Sequence, residues 1–313
     1  MKRLFPKLFL LFACMGPLFS CTNEAHDDSI DIVVSIYPEF EWMKAVIKDV
    51  NEKVNLTLLM DSGSDLHSFQ PTIADIGKIQ KSDLFVYVGG ESDEWVGDVM
   101  ENKTNKDLKT ISLVDVLGDK ARDEERVTGM QDHEEGGDEK DEHVWLSLRN
   151  ASLFVDEFAK AMGEIDGSHA DSYRKNADEY KAKLSTLDER YGETVSNSPN
   201  KTLLFADRFP FLYLTKEYGI NYYAAFSGCS AETEASLTTI KFLVDKIDEL
   251  GLRYVMKIDG SGNELPNAVI NSTKTRDQKI LTLDSIQSTT TKSNASYLSI
   301  MESNLKVLEE ALS

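Results

Sequence analysis

Short apolar runs rich in Val, Ile, Leu and Phe alternate along this chain with longer stretches whose apolar residues recur every three or four positions. "DIVVSI" (31–36), "VNLTLLM" (54–60) and "SDLFVYVG" (82–89) predict buried strands, and "EFEWMKAVIKDV" (39–50) and "TIADIGKIQ" (72–80) predict the helices between them. Buried strands separated by amphipathic segments are the pattern of a parallel sheet covered by helices on both faces. A helix resumes over 151–161, and over 171–195 Tyr173, Ala177, Tyr180, Leu184, Leu187 and Tyr191 fall at steps of three and four, which predicts one long amphipathic helix. A second series then begins: strands at "TLLFA" (202–206), "NYYAAF" (221–226), "RYVMKI" (253–258) and "KILTL" (279–283), with helices near 210–217, 236–250 and 264–275 and a last one over 294–312. The expected fold class is α/β: two Rossmann-like lobes, 31–165 and 199–313, joined by one long rigid connecting helix within 166–198, with a cleft between the lobes.

Two segments fall outside this alternation. The start, "MKRLFPKLFLLFACMGPLFSC", has basic residues and then an apolar run too short for a permanent membrane span. It predicts a lipoprotein signal peptide over 1–20 with lipid on Cys21, followed by a tether over 21–30, although Phe19 is bulky for such a site. An ordinary secreted protein cleaved nearby is the alternative, and either way the chain is exported. The stretch 119–142 is crowded with carboxylates and nearly free of large apolar residues, which predicts a mobile acidic loop unable to pack a core.

Composition narrows the function. A formal net charge of −20 repels phosphate backbones, so nucleic acid is not expected as a partner and cations are favoured. With Cys14 in the signal and Cys21 lipidated, Cys229 is the one thiol left, which rules out an intramolecular disulfide in the mature chain. There is no G-x-G-x-x-G or P-loop to hold a nucleotide and no H-E-x-x-H helix for a zinc hydrolase. In open α/β sheets ligands gather beyond the carboxyl ends of strands. His67 and Asp207 follow predicted strands, Asp284 follows "KILTL", and His143 stands just ahead of a helix. Two imidazoles and two carboxylates suit a divalent first-row metal, with zinc favoured by nitrogen and manganese by oxygen. Each residue alone reads more readily as a cap or turn residue than as a ligand, and it is the position shared by all four that points to a metal.

"DLHSFQPTIADIGKIQKSDLFVYVGG" and "EHVWLSLRNA" resemble the two signatures of the cluster A-I solute-binding lipoproteins of zinc and manganese ABC importers, and the resemblance runs over nearly all of the mature chain. It implies a receptor that is no enzyme, that takes Zn2+ or alternatively Mn2+, and that docks as a monomer on the transmembrane subunit of an ABC permease. The receptor would be anchored through Cys21 to the outer face of a bacterial cell membrane. His67 and His143 match the family's first two metal ligands. The third, His or Glu in the family, falls on Arg208 by counting back from Tyr218-Gly219 and on Asp207 with one residue of slippage; Asp207 is chosen, with Glu232, Glu234 and Cys229 as alternatives. Asp284 matches the fourth ligand position. The acidic loop resembles the metal-gathering loop of zinc-type members. The competing readings are a surface adhesin or scaffold lipoprotein and, behind it, a zinc-dependent hydrolase.

Overall fold

The computed structural model describes residues 29–131, 139–230 and 234–313. The signal peptide, Cys21 and Glu232 lie outside the described residues, as does the middle of the acidic stretch. The first lobe is built from β1 (Ile30–Val34), α1 (Tyr37–Ile47), β2 (Val54–Leu58), α2 (Ile73–Ile79), β3 (Leu84–Tyr87), α3 (Trp95–Glu101), β4 (Lys109–Ser112) and α4 (Leu113–Leu117). Two helices of 18 and 28 residues follow, α5 (Leu148–Ile165) and α6 (Ala170–Asn197). The second lobe contains β5 (Thr202–Phe209), α7 (Leu212–Tyr218), β6 (Asn221–Ser227), α8 (Leu237–Leu250), β7 (Tyr254–Ile258), α9 (Glu264–Ser272), β8 (Lys279–Leu283) and α10 (Tyr297–Ala311).

All strand pairs within these two sheets are parallel, and the orders β2-β1-β3-β4 and β6-β5-β7-β8 repeat one topology. Two α/β lobes joined by a long helix is therefore the observed architecture. The strand at 109–112 and the helix at 95–101 have no counterpart in the sequence reading. Local chemistry sets the helix ends. Thr72 and Asp75 exchange hydrogen bonds across the first turn of α2, Ser147 caps α5, Ser236 caps α8, and Gly219 and Gly251 end α7 and α8 in the left-handed region that a side chain disfavours. Among the described residues no helix is long and apolar enough to cross a membrane.

The main core is shared by the two lobes. Trp42 on α1 packs against Phe154 and Phe158 of α5 and stands edge-on to Tyr297 of α10, with ring centroids 5.1 Å apart. Helix α6 is tied to both sides: Asn176 Nδ2 donates to the Val46 carbonyl at 2.9 Å and Tyr191 Oη to the Met301 carbonyl at 2.6 Å.

The acidic stretch departs from expectation. Its described part is docked and not a mobile loop. Asp123 and Lys140 form an antiparallel bridge, the Arg122 amide donates to Tyr213 Oη, and the Gln131 amide donates to the Ala225 carbonyl at 2.9 Å. Met130 enters the main core, 9% exposed. Backbone groups and one methionine hold the segment to the second lobe, and Asp141 and Glu142 at its end are themselves buried beside the histidines, a pattern that composition averages away.

Candidate metal centre

Each candidate histidine lies two residues after an aspartate that caps its own amide. In the turn after β2, Asp65 Oδ1 accepts from the His67 amide at 3.1 Å, and in the segment before α5, Asp141 Oδ1 accepts from the His143 amide at 2.9 Å. Asx turns of this kind fix the backbone and so aim the imidazoles. His143 is fully buried, and His67 is largely so.

The two rings meet. His67 Nε2 lies 3.2 Å from His143 Nε2, across 76 residues of sequence. The outward nitrogens are occupied: His67 Nδ1 is 2.9 Å from Ser92 Oγ and 3.4 Å from Glu142 Oε2, and His143 Nδ1 is 3.2 Å from Asp141 Oδ1. A carboxylate only accepts, so each Nδ1 carries the proton and each Nε2 lone pair faces inward, the arrangement that metal-binding histidines require. Zn–N bonds of about 2.0–2.1 Å at a tetrahedral angle separate two imidazole nitrogens by roughly 3.3 Å, so the rings already hold the spacing a zinc ion needs.

The surrounding charge is negative. Burial opposes ionisation of Glu142, but hydrogen bonds with His67 and Ser92 outweigh it and hold this carboxyl below the usual range. His67 opens onto a cavity of about 420 Å³ whose walls include Glu91, Glu94, Glu124 and Glu139. Cys229, in the turn after β6, lines the same cavity, and among the described residues the converging donor atoms are those of His67, His143 and Cys229, all within 4.8 Å of one another. Burial first, then the charges of Asp141, Glu124 and Glu142, push the Cys229 thiol well above its ordinary value, so without an ion it keeps its proton.

Asp207 and Asp284 are not brought to this group. Asp207 sits in β5 beside a register shift between Phe205 and Arg208, and both its oxygens accept from backbone amides, Oδ1 from Arg208 at 2.8 Å and Oδ2 from Ile258 at 3.0 Å. It repairs the backbone at a bulge. Arg208, where the count from Gly219 puts the family's third ligand, reaches across the cleft to Asp65 at 2.8 Å. Asp284 Oδ1 accepts from the Ile286 amide at 2.8 Å, and burial with the charge of Asp259 pushes its carboxyl up to about 6. Glu234 is exposed and outside the converging group.

Gln287 is the residue that sequence reasoning missed. Its Nε2 lies 3.1 Å from His143 Nε2, in a buried position. Nothing in "LDSIQS" marks a glutamine as a site residue except its place just past the end of β8.

Comparison with known proteins agrees with this architecture. A family model described as the periplasmic component A of zinc-uptake complexes matches residues 32–311. The zinc-binding lipoprotein AdcA of Streptococcus pneumoniae is 30% identical over 310 residues, which is 97% of this chain; the chain spans 60% of that relative's length. The high-affinity zinc uptake system protein ZnuA of Bacillus subtilis is 26% identical over 97% of each chain. The Zn(II)-bound ZnuA-like domain of S. pneumoniae AdcA superposes with a TM-score of 0.72 at 28% identity, covering 91% of this chain and 99% of that one.

Proposed function

The chain belongs to the family of the periplasmic component A of zinc-uptake complexes, and from that premise we propose that it is an extracytoplasmic receptor that captures zinc and hands it to the transmembrane subunit of an ABC permease. The observation that carries this reading is the pair of Nε2 atoms 3.2 Å apart with both Nδ1 atoms already engaged. Such a pair is stabilised by a cation placed between the lone pairs and has no other evident use in a buried cleft. The zinc-binding and zinc-uptake names of the relatives support the choice of cargo, and their lipoprotein names support export with an anchor on Cys21. Transport, not turnover, is the role; the ion is cargo. The carboxylate-walled cavity raises the local cation concentration at the mouth of the site.

Titration of the purified protein with zinc tests the reading. One tight site per chain is expected, and His67→Ala and His143→Ala should each abolish it while far-ultraviolet circular dichroism stays unchanged. Retention of wild-type affinity in both variants would remove the basis for the proposal.

A further inference from the structure

We propose that the cation site is completed by the Cys229 thiolate and the Gln287 amide oxygen, making it a thiophilic centre that takes zinc and rejects manganese. The inference rests on the receptor reading and adds to it the remaining donors and the selectivity. Cys229 Sγ lies within 4.8 Å of both imidazole nitrogens. A tetrahedral zinc with bonds of about 2.3 Å to sulfur and 2.0–2.1 Å to nitrogen separates those donors by roughly 3.6 Å, so a side-chain adjustment of at most about 1.2 Å closes the site.

The local backbone is shaped for this approach. Gly228 precedes the cysteine, and a Cβ there would stand 2.9 Å from His143 Cε1 and 2.9 Å from the Phe209 carbonyl, so the turn reaches the histidine only because that position has no side chain. On the other side Ile286 adopts a positive φ of 63°, which a β-branched residue occupies only under constraint. The constraint is visible: Asp284 Oδ1 accepts from the Ile286 amide, Asp259 Oδ1 accepts from the Ser285 amide and hydroxyl at 2.7 Å each, and Trp145 Nε1 donates to the Ser285 carbonyl at 2.9 Å. This clamped turn delivers Gln287 to His143. Rotating the amide by half a turn exchanges its nitrogen for its oxygen at the same place, which presents an acceptor to the ion.

Among the described residues no carboxylate oxygen joins the converging donors. Both oxygens of Asp207 are committed to backbone amides, and Arg208, a permanent cation held by Asp65, cannot ligate. What remains is two imidazoles, one thiolate and one neutral amide. Manganese prefers carboxylate, carbonyl and water, whereas thiolate and imidazole suit zinc. Binding forms the metal–sulfur bond as the Cys229 proton passes to solvent.

Cobalt(II) as a spectroscopic probe tests the proposal on the purified protein. The wild type should show thiolate-to-cobalt charge transfer in the near ultraviolet, and Cys229→Ser should lose it. Zinc affinity of that variant should fall by more than the roughly 10–100-fold that loss of a supporting residue costs, with manganese binding weak in both. As a measurement free of any substitution, zinc should protect Cys229 from iodoacetamide, read by peptide mass spectrometry, whereas manganese should not. Absence of the charge-transfer band and of protection, with His67→Ala still abolishing zinc binding, would overturn the thiolate centre and leave the receptor intact. Indifference of zinc binding to both His67→Ala and Cys229→Ser would overturn both.

Discussion

At the scale of single residues, the chain places one acid where it cannot ionise cheaply. Glu39 on α1 is fully buried; its Oε2 accepts from the Ser35 amide, the Ser35 hydroxyl and the Ile36 amide, while its Oε1 has no partner. Burial, with a smaller push from Asp93, raises its pKa to about 8. The folded value exceeds the unfolded one, so the stability this group contributes is complete below the ordinary carboxylate range and drains away as pH climbs through about 8. The slope is about 1.4 kcal/mol per pH unit inside that window. Glu39→Gln removes the titration. Urea unfolding at pH 5, 6, 7 and 8 should therefore find the variant gaining on the wild type by roughly 3 kcal/mol across the series; parallel stability curves would count against a neutral Glu39. The histidines were legible in the sequence because their neighbours form extended motifs, whereas Cys229 was ambiguous because a lone thiol packs as readily as it ligates. Gln287 left no trace, since an amide at a turn carries no charge or periodic signal and its meaning comes only from what stands opposite.

Among the elements, those with strong apolar periodicity were readable and those made of mixed residues were not. Helix α6 and strands β1, β2 and β8 follow from spacing alone. Strand β4, "KTIS", offers one large apolar residue, and its place at the sheet edge is fixed by pairing to β3, an interaction between distant segments. The same limit explains the acidic stretch, where carboxylates dominate the composition but Met130 and backbone hydrogen bonds decide the structure. If the stretch were a solvated loop, Met130→Ala would leave stability unchanged. Its core position instead implies a loss of about 2 kcal/mol or more, measured as a fall in the urea midpoint at constant slope. Glu124, in the same segment, accepts from the Cys229 amide at 3.2 Å, so the segment also supports the turn that carries the thiol. Asp207 shows the reverse error: a carboxylate at the end of a strand has the position of a ligand, yet the bulge beside it claims both oxygens.

For the whole molecule, the decisive feature is that the largest core is common to both lobes, although each lobe also keeps a smaller apolar cluster of its own. Trp42 belongs to the first lobe and Tyr297 to the second, and they touch through a cluster that continues along α5 and α6. Further bonds cross the same seam: Tyr37 Oη to the Ala295 carbonyl at 2.6 Å, Tyr297 Oη to the Trp145 carbonyl at 2.7 Å, and Asp61 with the amide and hydroxyl of Thr291 at 2.6 Å each. Opening the cleft widely would expose this apolar surface to water, at about 25 cal/mol per Å². Under the proposed receptor function, zinc capture would therefore need side-chain adjustment at the site and little rotation between lobes. The same continuity makes the described chain one cooperative unit. Differential scanning calorimetry should give a single transition whose midpoint rises with zinc, since an ion bound only by the folded state stabilises all of it. Trp42→Ala, which empties a fully buried indole site at the junction, should lower that one transition by an amount equivalent to about 3–5 kcal/mol without splitting it. Two resolved peaks in the wild type, only one of them moved by zinc, would mean that the lobes unfold independently and that the shared core is not what holds the two imidazoles at their spacing.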